Sequence, residues 1–297
     1  MKHIVSVSLG SSTRDKRVET VLFGEEFVIE RRGTNGDAAA MRRLYQELDG
    51  KVDAFGFGGY DLGLTVNGRY YPFHSVRGLV AGLQTPVVDG GAVRALIERR
   101  TARCMVSLLP QPPSPKRALI TVGVDRYDLA RGFVDEGYAV LFGDLGFGLG
   151  LPVAIHSIGT IHILARLLLP VMGRLPFQWL YPTGEKQTQI APKFPDWYAW
   201  ATVIGGDFHY IKRHLPARLD GKIVVTNTTT AEDVVLLRER GASALVTTTP
   251  RLEGRSFGTN VIEAVLTALA GKGRPLTRQE VAEMVGEGDL LPTVTVL

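Results

Sequence analysis

Residues 118–144 read ALITVGVDRYDLARGFVDEGYAVLFGD, and this stretch predicts a strand, a helix and a second strand in succession. The two outer runs are short and apolar, as buried strands are, and the middle run has the spacing of a helix that buries one face. Strands joined through a helix in this way run parallel in one sheet. The fold prediction therefore starts from a βαβ unit.

The pattern continues after this unit, because strand-like and helical runs alternate along the chain. The strand-like runs are 200–207, 222–227 and 244–250, and the helical runs are 231–241 and 259–271. Alternation of this kind is typical of a doubly wound sheet with helices on both faces. We therefore predict a Rossmann-like parallel sheet over residues 118–275.

The N-terminal part has a different order, with three strand-like runs before its first helix. Together with a strand at 52–58, they give the order βββαβ and predict a mixed sheet over residues 1–110. The proline-rich stretch QPPSPKR at 111–117 is predicted to be a linker. The tail, 276–297, predicts one helix and one strand. The fold class is thus α/β with two domains.

Composition excludes several classes of protein and of site. The chain has 297 residues, a net charge of +4 and one cysteine, Cys104, so that it can form no internal disulfide and no cysteine zinc site. Its basic residues are scattered, which argues against nucleic-acid binding, and we predict no metal site. The first ten residues read as a strand, so the prediction is a cytoplasmic protein. The apolar stretch 151–172 carries His156, His162 and Arg166 and predicts a buried core helix, not a membrane span.

Polar residues follow each predicted strand of the second domain. Because ligands bind at the carboxyl ends of parallel strands, these residues predict a crevice for a small anionic metabolite. The candidate cofactor-binding residues are Gly123, Asp125, Arg126, Asp144, Gly146, Thr226, Asn227, Thr228, Arg255 and Ser256.

The glycine-rich stretch 140–152, VLFGDLGFGLGLP, raises the question of a dinucleotide site. Asp144 lies 21 residues beyond Gly123, where a carboxylate accepts hydrogen bonds from an adenosine ribose. The first loop reads GVDRYD, however, and lacks the glycines that approach a pyrophosphate. A turn that gives a ligand room is the alternative. With that alternative open, NAD or NADP is the predicted cofactor.

Four side chains are candidates for proton transfer. Asp207 and His209 follow a strand, Lys186 lies in the polar loop TGEKQTQ, and Asp61 lies in GGYDLG of the first domain. A lysine whose pKa is lowered by burial can exchange a proton with a hydroxyl.

The stretches GVDRYDLARGF, TNTTTAED and TTPRLEGRSFGTN resemble those of bacterial proteins commonly described as quinate or shikimate 5-dehydrogenase-like. The resemblance runs over much of residues 118–265. It implies NAD(P)-linked oxidation of a ring hydroxyl in a cyclic hydroxy acid. The glycine- and alanine-rich cofactor loop of those dehydrogenases, and their substrate-handling lysine and aspartate, have no recognisable counterpart in this sequence.

Two hypotheses of function follow from these observations. The first is an NAD(P)-dependent oxidoreductase acting on a hydroxyl of a small cyclic hydroxy acid. The second is a non-redox binding protein, or a transferase or kinase-like protein, that recognises a phosphorylated small metabolite. Either hypothesis allows a homodimer.

Overall fold

The structure, a computed structural model, describes residues 1–176, 190–249, 251–252, 255–286 and 289–297 of the chain. These residues form two α/β units, each built on a sheet of mainly parallel strands with helices against it. The predicted two-domain α/β class is confirmed.

The first sheet has the strand order β2-β3-β1-β4-β7, and all neighbours are parallel except β2 and β3. Its strands are β1 (Lys2–Ser8), β2 (Lys16–Leu22), β3 (Glu25–Gly33), β4 (Ala54–Gly58) and β7 (Val87–Val88). A separate hairpin consists of β5 (Gly63–Val66) and β6 (Arg69–Pro72), which are joined by an Asn67-Gly68 turn. The helices are α1 (Ala38–Leu48), α2 (His74–Arg77) and α3 (Gly91–Leu108), with 3-10 turns at Ser12–Arg14 and Gly78–Val80.

The second sheet has the order β15-β12-β11-β10-β8-β9, and only β15 runs antiparallel to its neighbour. Its strands are β8 (Arg117–Ile120), β9 (Ala139–Phe142), β10 (Val203–Gly205), β11 (Ile223–Thr226), β12 (Ala244–Thr247) and β15 (Thr293–Val296). Two short strands, β13 (Arg251–Leu252) and β14 (Arg255–Ser256), pair with each other. The helices are α4 (Tyr127–Asp135), α5 (Ile158–Met172), α6 (Pro195–Trp200), α7 (Phe208–Arg213), α8 (Ala231–Glu239), α9 (Thr259–Ala270) and α10 (Arg278–Met284).

Both sheets reverse their strand order at one point. In the first sheet β1 lies between β3 and β4, and in the second sheet β8 lies between β9 and β10. The parallel strands of the second sheet therefore follow the order 2-1-3-4-5, which differs from the classic dinucleotide-binding order 3-2-1-4-5-6. Ligands of doubly wound sheets bind beside such a reversal, so each unit offers one binding edge.

Helix α9 packs on the first sheet, although the sequence prediction placed residues 259–271 in the second domain. Its buried residues Ile262, Val265 and Leu266 share a core with Ile4 of β1 and Val88 of β7. The apolar face of a helix specifies burial but not which sheet provides it, and this explains the difference. The chain then returns to the second sheet, where β15 pairs with β12.

The two units share a packed interface beside the cleft. Helix α3 starts in the core of the first unit, and its later residues Ala102 and Met105 join a cluster that includes Ala130 and Phe133 of α4. Helices α3 and α4 approach closely at Gly132, where a Cβ would lie 2.7 Å from the backbone oxygen of Arg99. The interface therefore depends on the absence of a side chain at this position.

Helix α5 is only partly buried, in contrast to the core helix predicted over 151–172. Ile161, Ala165 and Leu169 face the core, whereas Ile163 and Leu167 are 59% and 66% exposed. Among the described residues, no helix combines the length and the apolar character that crossing a bilayer requires.

The close approach at Gly132 leads to a stability prediction. We expect Gly132→Ala to lower the free energy of unfolding by about 1–3 kcal/mol, because the new methyl group overpacks the α3–α4 contact. Denaturant unfolding followed by circular dichroism measures the change. Gly78→Ala is the matched control, since a Cβ there meets nothing within 4 Å. Equal stability of the two variants would contradict the close packing.

Candidate functional site

A cavity of about 430 Å³ lies between the two units, at the carboxyl ends of the strands that flank both reversal points. This volume lies in the range of small-molecule sites. The cavity is lined by Arg14, Phe57, Gly58, Gly59, Tyr60, Asp61, Asp89, Arg94, Asp125, Arg126, Asp207, His209, Tyr210, Arg213, Asn227, Thr228 and Asn260.

Arg126, at the end of the loop after β8, connects carboxylates from both units. Its Nη1 donates to Glu98 Oε1 of α3 at 3.2 Å, and its Nη2 donates to Asp207 Oδ2 after β10. Its Nε lies 3.3 Å from Asp125 Oδ2, an ionic contact without hydrogen-bond geometry. Burial raises the pKa of Glu98 to about 7 although Arg126 lies beside it. Arg126 is therefore the positive charge that makes this buried acidic cluster tolerable.

Asp207 is an ionised acceptor held from several sides. His209 donates its backbone N–H to Oδ1 at 2.9 Å, and the side-chain amide of Asn227 donates to Oδ2 at 2.8 Å. Burial opposes the charge, but Arg126 and then His209 outweigh it, so the pKa of Asp207 stays below its usual value. Burial raises the pKa of the adjacent Asp125. The second unit thus presents two carboxylates of different basicity to the cavity.

The first unit contributes a second charged group around Arg94 of α3. Arg94 donates from Nη1 and Nη2 to the two carboxylate oxygens of Asp61, at 2.8 and 3.0 Å, which is the bidentate geometry of a strong pair. Asp89 accepts backbone N–H groups from Leu62 at 2.7 Å and Gly91 at 2.9 Å. Burial and the neighbouring Asp61 raise the pKa of Asp89. These contacts hold the carboxylates in one orientation.

Aromatic side chains complete the lining beside the charged groups. Tyr60 follows β4 and Tyr210 lies in α7, whereas the ring of Phe57 in β4 is buried and stacks on Tyr45 in the core. Burial raises the pKa of both Tyr60 and Tyr210, so that their hydroxyls stay neutral and can donate hydrogen bonds. The two tyrosine hydroxyls therefore add hydrogen-bond donors to the carboxylate acceptors of the cavity.

The structure brings together half of the fourteen predicted site residues. Seven of them line the cavity: Asp61, Asp125, Arg126, Asp207, His209, Asn227 and Thr228. Thr226 is buried below the cavity and donates to the backbone oxygen of Gly206 at 2.8 Å, which orients the adjacent loop. Lys186 lies outside the described residues. Arg255 and Ser256 have a described backbone in β14, whereas their side chains are not described.

Asp144 is turned away from the cavity and caps the loop after β8. Its carboxylate accepts from the backbone N–H groups of Gly123 at 2.8 Å and Val124 at 2.9 Å. Burial raises the pKa of Asp144 to about 6, although these two hydrogen bonds act to lower it. The ribose-binding role predicted for Asp144 is not supported at this cavity, because Asp144 is not among the residues that line it.

The predicted glycines of this region serve packing. A Cβ at Gly146 would lie 2.6 Å from the Trp197 ring, and a Cβ at Gly123 would lie 2.8 Å from the Phe142 ring. The stretch Asp144–Gly148 forms a π-helical turn whose Phe147 stacks edge-on against Phe194 and Trp197. Neither glycine lines the cavity, and the glycine-rich stretch is a packed turn below an aromatic cluster.

Several lining residues escaped the sequence prediction. Arg94 and Asp89 come from the first unit and reach the site through a contact between distant parts of the chain. Asn260, at the start of α9, enters because that helix packs on the first sheet. The stretch GGYDLG did indicate a site in the first unit, because it follows β4 in the same way as the polar loops of the second domain follow their strands.

Comparisons with known proteins identify two sequence families. The family described as Domain of unknown function (DUF8754) matches residues 92–297, and the one described as Domain of unknown function (DUF8753) matches residues 3–89. No curated protein matches the chain in sequence.

Three solved structures that match the chain at low sequence identity are described by name as sugar-transport or solute-binding proteins. A periplasmic ribose ABC transporter protein from Conexibacter woesei is 12% identical, with 93% of this chain and 88% of that chain covered and a TM-score of 0.39. The glucose-galactose binding protein GanP from Geobacillus stearothermophilus is 11% identical, with coverages of 99% and 97% and a TM-score of 0.43. A solute-binding protein from Burkholderia graminis, in complex with D-arabinose, is 10% identical, with coverages of 99% and 95% and a TM-score of 0.40.

These findings correct the first hypothesis of function. The comparisons contradict the resemblance to quinate or shikimate 5-dehydrogenases: both matching families are described as domains of unknown function, and none of the three structures named above is described as a dehydrogenase. The predictions of an NAD(P)-dependent oxidoreductase and of an enzyme are wrong for the same reason. The predicted cytoplasmic location is also contradicted, since the similar structures include a periplasmic protein.

The Arg126 cluster leads to a second stability prediction. We expect Arg126→Met to lower the free energy of unfolding by about 3–5 kcal/mol, because it leaves Glu98, Asp125 and Asp207 buried without their counter-charge. Denaturant unfolding at neutral pH measures the loss. The control is Arg131→Met on the following helix α4, which removes the partly exposed i,i+4 pair with Asp135 and should cost less than about 1 kcal/mol. A similar small loss in both variants would contradict the bridging role.

The buried Asp144 leads to a prediction of pH dependence. Its folded-state pKa of about 6 lies above the usual value of 3.8, so the folded protein retains this proton when the unfolded chain has lost it. Stability relative to Asp144→Asn is therefore highest below about pH 4 and falls as the pH rises through about 6. We expect a fall of about 2–3 kcal/mol, at roughly 1.4 kcal/mol per pKa unit.

Denaturant unfolding of the unchanged protein and of Asp144→Asn, from pH 4 to pH 8, measures the difference between their free energies of unfolding. The interval above pH 7 is the internal control, since the difference is constant there. A difference that stays flat between pH 4 and pH 6 would contradict the assigned environment of Asp144.

Proposed function

We propose that this chain, which belongs to the family described as Domain of unknown function (DUF8754), is a binding protein that holds a small polyhydroxylated molecule between its two units. The observation that carries this proposal is the placement of oriented donor and acceptor groups from both units around one cavity. A ligand there contacts both sheets at their reversal points.

The pairing of charges favours a ligand with many hydroxyl groups. A hydroxyl both donates and accepts, so it can donate to a carboxylate and accept from the neighbouring guanidinium or amide. Asp61 is paired with Arg94, and Asp207 is paired with Asn227. Each pair therefore presents an acceptor and a donor side by side. Charged partners make such hydrogen bonds stronger than neutral ones.

The hydrogen bonds within the cluster favour recognition over proton transfer. Both oxygens of Asp207 and both oxygens of Asp89 already accept hydrogen bonds from the protein, which fixes the direction of their remaining lone pairs. Fixed acceptors reduce the entropy that binding costs. The ring of Tyr210, which lines the cavity, would supply an apolar surface for a sugar-like ring.

We also propose that the ligand is anionic, as the sequence predicted. Arg14 and Arg213 line the cavity from opposite units, and both are exposed. Neither arginine forms an ion pair with another residue in the described part of the chain. A carboxylate or phosphate on the ligand would give them a partner.

Binding measurements test the proposed function. The probes are ribose, glucose, galactose and arabinose, together with their sugar acids and sugar phosphates, in titration calorimetry. We expect at least one probe to bind with a Kd below about 1 mM, and Asp89→Asn to weaken that binding about 10- to 100-fold through loss of a charged acceptor.

Asp53→Asn is the matched control for this test. Asp53 also accepts a backbone N–H, from His3 at 2.7 Å, but it lies outside the cavity lining. The affinity of Asp53→Asn for the same probe should equal that of the unchanged protein. Failure of the whole panel to bind, or equal weakening in both variants, would contradict the proposed function. Thermal unfolding confirms that each variant is folded.

A further inference from the structure

Two arginine side chains from the first unit converge over Gly10, directly after β1. A Cβ at Gly10 would lie 2.8 Å from Arg14 Nη2, 3.1 Å from Arg31 Nη2 and 3.3 Å from Ser8 Oγ. Two guanidinium groups and a hydroxyl therefore lie close to the backbone at residue 10, which leaves no room for a side chain there. Arg14 belongs to the 3-10 turn after β1, and Arg31 belongs to β3.

The positive charge of this pair is only partly compensated. Arg31 Nη1 donates to Asp15 Oδ1 at 2.8 Å and to the backbone oxygen of Ser11 at 2.9 Å. Its Nη2 is buried and has no hydrogen-bond partner within the described ranges. Asp15 thus compensates Arg31, whereas Arg14 forms no ion pair within the described residues, and two like charges at this separation repel each other unless an anion joins them.

Of this pair, Arg14 lines a cavity whose charges are separated, and Arg31 is not among the lining residues. Asp61, Asp89, Asp125 and Asp207 outnumber Arg94 and Arg126 around the ends of β4, β7, β8 and β10. Arg14 lines the same cavity on the side of β1, and His209 and Arg213 line it from α7 of the other unit. A ligand with hydroxyls at one end and an oxyanion at the other matches this arrangement.

We infer that Arg14 and Arg31, together with Ser8, form an anion subsite over Gly10 that binds the carboxylate or phosphate group of the ligand. The inference rests on the proposed function and adds the position of the charged group within the cleft. Arginine forks suit both oxyanions, since each offers oxygens at the spacing of two guanidinium N–H groups. The hydroxyl end of the ligand then lies toward the carboxylates.

Matched pairs of probes test the subsite. The pairs are galactose with galacturonate, glucose with glucose 6-phosphate, and ribose with ribose 5-phosphate, each titrated by calorimetry at low salt. We expect the unchanged protein to bind the charged member of at least one pair about tenfold or more tightly. The galacturonate arm reports a carboxylate preference, and the other two arms report a phosphate preference.

Three variants locate the preference. Arg14→Gln removes one guanidinium, and Gly10→Ala fills the space between the two groups, so both should bring the ratio of the two affinities toward one. Arg218→Gln is the control, because Arg218 is exposed in the second unit and does not line the cavity. The ratio of the affinities for the charged and the neutral probe should be the same in Arg218→Gln as in the unchanged protein.

The outcomes separate the two proposals. Equal binding of charged and neutral members, or a preference that survives in both Arg14→Gln and Gly10→Ala, would overturn the subsite and leave the binding function standing. Absence of binding by every probe would overturn the binding function and the subsite with it. A preference that these two variants lose and Arg218→Gln keeps would support the subsite.

Discussion

The arrangement of the cleft depends on the buried guanidinium of Arg126. It belongs to the second unit, yet its partners include Glu98 on α3 of the first unit as well as Asp125 and Asp207. Buried carboxylates are costly without a counter-charge, so the two units are most stable in the relative position that keeps Arg126 among them. The same contact places Asp207 and its neighbours at the wall of the cavity.

The strand order of the two sheets explains why the cavity lies where it does. Each sheet reverses its order once, beside β1 in one unit and beside β8 in the other. The packing of α3 against α4 and the contacts of Arg126 bring these two edges together. Loops that would each form half of a site in an isolated domain therefore form one enclosed site, with charged groups from both units oriented by hydrogen bonds.

Sequence patterns could predict the polar strand ends but not the tertiary contacts that decide their roles. Asp125, Arg126, Asp207 and Asn227 were predictable because each directly follows a strand of the second sheet. Asp144 has the same signal but caps the preceding loop, and only the folded backbone distinguishes these two roles. The Arg94–Asp61 pair joins residues far apart in sequence, and helix α9 packs on a sheet that its amphipathic pattern does not specify. The resemblance to dehydrogenases was misleading because alternating strands and helices are common to many doubly wound folds.

Hydrogen–deuterium exchange with and without the tightest-binding sugar is the most direct test of a ligand held between the two units. The account predicts slower exchange in both units at once, in the loops at residues 59–62 and 89–91 of the first unit and at 123–126 and 206–209 of the second. Protection confined to one unit, or unchanged exchange in these loops at saturating ligand, would contradict it.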